Sequence, residues 1–146
     1  MTIHLAEKGL EGLWENIQQA VEGEAAEGFL EMLLKAMRMA FIILPDYRES
    51  IRKFDGSYQF TSADGVMSMA AVFSNGRMRV TETKITHPDI TITFRDGKTL
   101  FKFLLAPKQD ILGSMLAQDV KTDGNLNYLY RFGYLAKKLQ LMLQPV

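Results

Sequence analysis

The chain has 146 residues, 47% of them hydrophobic and 23% charged, which is the size and apolar content of one globular domain. Seventeen Lys and Arg balance seventeen Asp and Glu, so the electrostatic footprint of a nucleic-acid binder is missing. The absence of cysteine removes disulfide scaffolds, thiolate metal sites and thiol nucleophiles, and only His4 and His87 remain for imidazole chemistry.

The opening segment carries early acids and lacks the basic-then-apolar pattern of a secretory signal, so a cytoplasmic location is expected. Leu10, Leu13, Trp14, Ile17 and Val21 recur at helical spacing with Glu7, Glu11 and Glu15 on the water side, and Gly23 ends this first helix. A second helix runs from Phe29 to Leu44 with Leu30, Leu33, Leu34, Met37 and Phe41 on one stripe. Phe29, Met32, Met39 and Ile43 lie on its other side, which predicts cover on two sides. Pro45 stops it, because the residue before proline avoids helical backbone. Glu31, Lys35 and Arg38 interrupt this stretch, which also falls short of the ~20 residues a bilayer span needs.

From Phe54 the period becomes two. Tyr58 and Phe60 point one way on the first strand, and after the Asp64-Gly65 turn Met67, Met69, Ala71 and Phe73 do so on the second. Asn75-Gly76 predicts a type I′ hairpin turn, since both central residues of that turn need positive φ. The third strand, Arg77 to Thr83, turns Met78 and Val80 inward; the fourth, Asp89 to Arg95, turns in Ile90, Ile92 and Phe94. After Asp96-Gly97 the helical period returns with Leu100, Phe101, Leu104 and Leu105, and Pro107 opens another short helix through Met115 and Leu116. A fifth strand is expected at about 118–122. Asn125 then caps a final helix reaching about Leu143, apolar over most of its circumference. Two helices, four antiparallel strands, two short helices, a fifth strand and a closing helix make an α+β fold. It is a five-stranded, mainly antiparallel sheet with helices layered on one face.

At HPDITITFRDG, followed by LFKFLL, then VKTDGN and the ending LAKKLQLMLQP, the chain resembles a sterol carrier protein type 2 domain. The matching elements are Asp89 to Thr93, Leu100 to Leu116, Lys121 to Asn125 and Leu126 to Gln144, in the family's order, with the Asn75-Gly76 hairpin in its usual place. The likeness covers about 54–146. It implies one domain, with residues 1–45 as a helical extension of a 54–146 core. It also implies a lipid ligand, such as a sterol, fatty acid, acyl-CoA or phospholipid, held in an apolar tunnel between sheet and helices. On that reading the lining comprises Tyr58, Phe60, Met67, Met69, Phe73, Met78, Ile90, Ile92 and Phe94 from the strands. Phe101, Leu104, Leu126, Leu129, Tyr130 and Leu139 add to it from the helices. Nine Met, flexible and polarizable, suit an irregular apolar ligand.

The chemistry-bearing residues do not assemble into an enzyme. His87 precedes Pro88 without a nucleophile elbow, Asp46 and Glu49 read as helix-start acids, and Asp110, Asp119 and Asp123 lack EF-hand spacing. A non-catalytic carrier without metal or cofactor is therefore expected. Charge is uneven: residues 1–34 hold seven acids and one base. Arg77, Arg79, Arg95, Lys98 and Lys102 form a candidate patch at the strand ends for transient contact with anionic membrane lipid. Two alternatives stand beside the carrier. One is an accessory module that presents a hydrophobic precursor, such as an isoprenoid quinone intermediate, to biosynthetic enzymes. The other is a homodimeric interaction domain with a filled core and a seam through Trp14, Phe29 and Leu33 of the N-terminal helices.

Overall fold

A computed structural model describes residues 2–22, 28–105, 113, 115 and 117–143. Helix α1 (Thr2–Glu22) packs on α2 (Phe29–Ile43), and Leu10, Trp14 and Ile17 are buried together with Phe29, Leu30, Leu33 and Leu34. Full burial of a side chain of this size contributes roughly 1.5–3 kcal/mol, so the α1–α2 contact is an integral part of the core. This corrects the dimer seam: Trp14, Phe29 and Leu33 are at most 3% exposed within a single chain, because α1 folds back over α2. Gly23 lies outside the described residues.

Helix α2 ends at Ile43, where Leu44 is extended, and Pro45 starts a separate short helix, α3 (Pro45–Glu49). Proline is favoured at a first helical position, where its missing N–H has no partner to lose.

Strands β1 (Gly56–Ser62), β2 (Ser68–Ser74), β3 (Arg77–Thr81), β4 (Ile90–Phe94) and β5 (Val120–Gly124) form one sheet in the order β3-β2-β1-β4-β5. The hairpin turn has the anticipated backbone, with φ of 53° at Asn75 and 72° at Gly76. The expectation of four antiparallel strands needs one correction, because β1 and β4 pair in parallel, with Tyr58 beside Ile90 and Phe60 beside Ile92. The chain achieves this by carrying residues 82–89 from the β3 edge across β2 and β1. The side chain of Gln59 anchors the crossing: its Oε1 accepts the Ile85 N–H at 2.8 Å, while its Nε2 donates to Ser68 Oγ at 2.8 Å. Since Gln59 points away from Tyr58 and Phe60, the crossing runs over the face opposite the helices.

Helix α4 (Gly97–Leu105) starts where Asp96 Oδ1 accepts the Thr99 N–H at 2.7 Å. The closing helix α5 (Leu126–Leu143) starts where Asn125 Oδ1 accepts the Asn127 N–H at 2.9 Å, as expected of that cap. The short helix anticipated from Pro107 lies mostly outside the described residues, although Gly113 and Met115 are helical. Strand β5 begins and ends two residues later than anticipated, and its register sets Gly124 opposite Ile90 and Val120 opposite Phe94.

Candidate functional site

The pairing register places the inward side chains of all the strands on one face. Phe60 sits opposite Met69 and beside Ile92, Ala71 opposite Val80, and Phe73 opposite Met78. Tyr58, Phe60, Met69, Phe73, Met78, Ile90, Ile92 and Phe94 are all buried there, as are Leu104, Leu129 and Leu139 from the helices. Met67 and Phe101 are half-buried at the margin of this core. Leu126 and Tyr130 fall outside it: they lie on the solvent side of α5, 39% and 46% exposed. The inward stripe of α5 is instead Tyr128, Leu129, Phe132, Leu135, Ala136 and Leu139, a helical i, i+3, i+4, i+7 series.

An aromatic cluster fills the space between this stripe and the sheet. The Phe132 ring lies 4.9 Å from Phe60 and 5.3 Å from Tyr58, and Phe73 lies 5.6 Å from Tyr58, 5.4 Å from Phe54 and 6.0 Å from Phe41. These are contact separations for aromatic pairs. Two phenols keep their polar ends satisfied inside the cluster: Tyr58 donates to the Tyr128 carbonyl at 2.7 Å, and Tyr47 to the Leu135 carbonyl at 2.8 Å. Burial pushes both phenols well above the usual tyrosine range, so they stay neutral donors.

Helix α3 and the turn after it lie across this aromatic end. Besides the Tyr47 bond, Arg131 donates to the Ser50 carbonyl at 2.6 Å, Lys138 to Ser50 Oγ at 2.7 Å, and the Arg131 guanidinium stands 5.1 Å from the centre of the Phe54 ring. A bowl opens on each side of this strap. One, of about 770 Å³, has Phe54 and Tyr128 in its wall with Arg52, Lys53, Asn125 and Arg131; the other, of about 570 Å³, lies between α2, α3 and the β2–β3 turn over Phe41 and Met78. Phe41, Tyr47, Phe54, Tyr128 and Phe132 were absent from the anticipated lining. The helical series on α5 would have found Tyr128 and Phe132, and Tyr47 carried no periodic signal because α3 is only one turn long.

The five bases anticipated as one patch are divided between opposite edges of the sheet. Arg77 and Arg79 are on edge strand β3, whereas Arg95, Lys98 and Lys102 border a pocket beside β5, where Arg95 pairs with Asp119 at 3.1 Å. Among the described residues no group of three or more His, Asp or Glu converges to hold a metal ion, and Asp110 lies outside those residues. Exposed His87 stands in the crossing segment, two residues after Ile85, whose N–H is held by Gln59. Among the described residues no helix is long and apolar enough to cross a membrane. Apart from the two satisfied phenols, the side chains gathered between α5 and the sheet hold by apolar contact, and the charged groups stand at the rim.

Solved structures share this architecture. A "UbiJ-SCP2 Ubiquinone synthesis protein" superimposes with a TM-score of 0.60 at 17% identity, over 82% of this chain and 93% of the other. Sterol carrier protein 2 from Yarrowia lipolytica gives 0.54 at 16% identity, over 75% of this chain and 90% of the other. The sterol carrier protein domain 2 of Helicoverpa armigera gives 0.52 at 18% identity, over 82% and 93%. No family model and no curated protein sequence matches the chain. The fold is that of a sterol carrier protein 2 domain.

Proposed function

We propose that this chain is a non-catalytic carrier that takes up a lipid between the inner face of its sheet and helix α5. The observation that carries the reading is the unbroken apolar face from Met78 across Phe73, Phe60 and Ile92 to Phe94, roofed by the Phe132 stripe. The lipid would displace rings of the aromatic cluster, entering beside the α3 strap through the bowl walled by Phe54 and Tyr128. Each CH₂ removed from water is worth about 0.8 kcal/mol, so a long chain is held without any nucleophile or general base. Of the anticipated lining, the strand residues with Leu104, Leu129 and Leu139 remain the proposed contacts, and Met67 and Phe101 are proposed at the margin.

The working place of such a carrier is the cytoplasm, with transient contact to a membrane surface during loading. The likeness to a ubiquinone synthesis protein favours a second version, in which the cargo is a hydrophobic precursor presented to biosynthetic enzymes. Native mass spectrometry of freshly purified protein, followed by denaturing extraction, tests both. A released lipid of defined mass supports the carrier, and an isoprenoid ring compound selects the second version. A clean apo protein that also binds no fluorescent fatty acid in a displacement titration overturns both.

A further inference from the structure

The 570 Å³ bowl beside α3 differs in chemistry from the rest of the apolar site. Its rim carries Arg38 from α2, Arg48 and Arg52 from α3 and the turn after it, and Arg77 from the start of β3, with Glu49 as the single acid. Two of the four are already engaged: Arg52 pairs with Glu49 at 3.2 Å, and Arg48 donates to the Ile42 carbonyl at 3.0 Å. Arg38 and Arg77 form no ion pair among the described residues. The wall beneath the guanidinium groups is apolar: Phe41 is 3% exposed and Met78 5%, while Ile42, 58% exposed, stands at the lip. Phe41 also packs edge-on against Phe73, so the floor of this bowl is continuous with the aromatic cluster.

Concentrated positive charge without matching carboxylates is electrostatically unfavourable unless an anion arrives. Guanidinium groups are the side chains best shaped to hold phosphate, through two parallel charged hydrogen bonds. A free inorganic anion would use the rim but leave Ile42, the exposed apolar side chain at the lip, in water. From this pairing of rim and floor we infer that the bowl is a recognition site for the phosphate head of a single-chain amphiphile, with Arg38 and Arg77 as its principal contacts. The head is held at the rim while the chain runs over Phe41 toward the sheet. The inference rests on the carrier reading and adds to it the charge of the cargo.

The test is titration of the full chain with dodecyl phosphate, dodecanol and inorganic phosphate below micellar concentrations, observed by calorimetry and by the arginine Nε–H resonances. Dodecyl phosphate is expected to bind about tenfold or more tightly than dodecanol, the difference that one good charged hydrogen bond supplies. Raised salt should narrow the gap. The double variant Arg38→Gln/Arg77→Gln should abolish the preference while leaving dodecanol binding unchanged, and Arg38→Lys/Arg77→Lys should retain some of it. Equal affinity of the two C12 probes, or a preference that survives the Gln pair, overturns the head-group site while leaving the carrier intact. Inorganic phosphate binding as tightly as dodecyl phosphate also overturns it, since the site would then read a free anion. Failure of both C12 probes to bind overturns the carrier reading together with the site. Both double variants replace exposed side chains, and an unchanged circular dichroism melt verifies that each remains folded.

Discussion

The hydroxyl of Tyr47 donates to the main-chain carbonyl of Leu135 at 2.8 Å, across 88 residues of sequence, and so ties α3 to the closing helix. The Tyr47 ring is stacked on Phe41 at 4.2 Å, which makes this one side chain both the latch of the strap and a member of the aromatic floor. Tyr47→Phe keeps the stacking and removes the bond. It is expected to lower stability by about 1 kcal/mol in urea unfolding. Hydrogen exchange should speed up in residues 47–54 ahead of the sheet, and uptake of a fluorescent fatty acid should become faster. Unchanged exchange in that segment would show that Arg131 and Lys138 hold the strap unaided.

Met69 is buried on the inner face opposite Phe60, and it also borders the groove between α2 and β3. Met69→Trp adds volume at this point and is expected to cost roughly 1–3 kcal/mol, the usual range for overpacking, while leaving a cooperative melt. Lipid capacity in the displacement titration should fall sharply. A variant that melts normally and binds lipid as before would move the cargo away from this region of the sheet.

Gly124 is the residue of β5 that cannot be exchanged. Its φ is 131°, and a methyl group there would collide with the backbone of Asp89 and Ile90 on the neighbouring strand. Gly124→Ala is expected to destabilise by about 2–3 kcal/mol, read from the urea midpoint at unchanged slope. Gly65→Ala also meets a positive φ, of 76°, but has open space around it and should be milder.

Hydrogen bonds from the Thr99 side chain and backbone hold the Asp96 carboxyl below the usual carboxylate range. A carboxylate whose folded value is depressed contributes stability that is complete above its unfolded value, near 4, and lost as the pH falls through the folded value. Asp96→Asn caps the same helix without titrating. The two proteins should therefore diverge most above pH ~5 and converge in acid, as measured by thermal melts in buffers of descending pH. A constant gap at every pH would mean that Asp96 acts only by shape.

Much of the architecture could be read in advance because local rules governed it. Pro45 had to end α2, Asn75-Gly76 had to turn, and strict alternation put Tyr58, Phe60, Ile90 and Ile92 on one face. What escaped depended on partners distant in sequence. The eight residues between β3 and β4 read as an ordinary connection, and only the buried Gln59 reveals that they cross two strands to make a parallel pair. Helix α5 is apolar nearly all round, so composition alone did not distinguish Tyr130, which faces water, from Phe132, which faces the sheet. The basic residues read as one patch because sequence proximity does not record that β3 and β5 are opposite edges. Leu33 illustrates the same limit: Leu33→Asp would bury a charge in the α1–α2 contact and unfold the chain rather than dissociate a dimer.

The parallel β1–β4 pair also bears on the expected order of assembly. The β2–β3 hairpin closes over two residues and can form within microseconds, and β1 can join it through the Asp64-Gly65 turn. Strand β4 reaches β1 only with residues 82–89 laid over that three-stranded meander, and β5 joins the sheet through β4 alone. By contact separation alone, the half of the sheet nearest Arg77 is expected to form first. The half that receives Gly124 is expected to follow, and until β4 docks the edge of β1 opposite β2 has no partner strand.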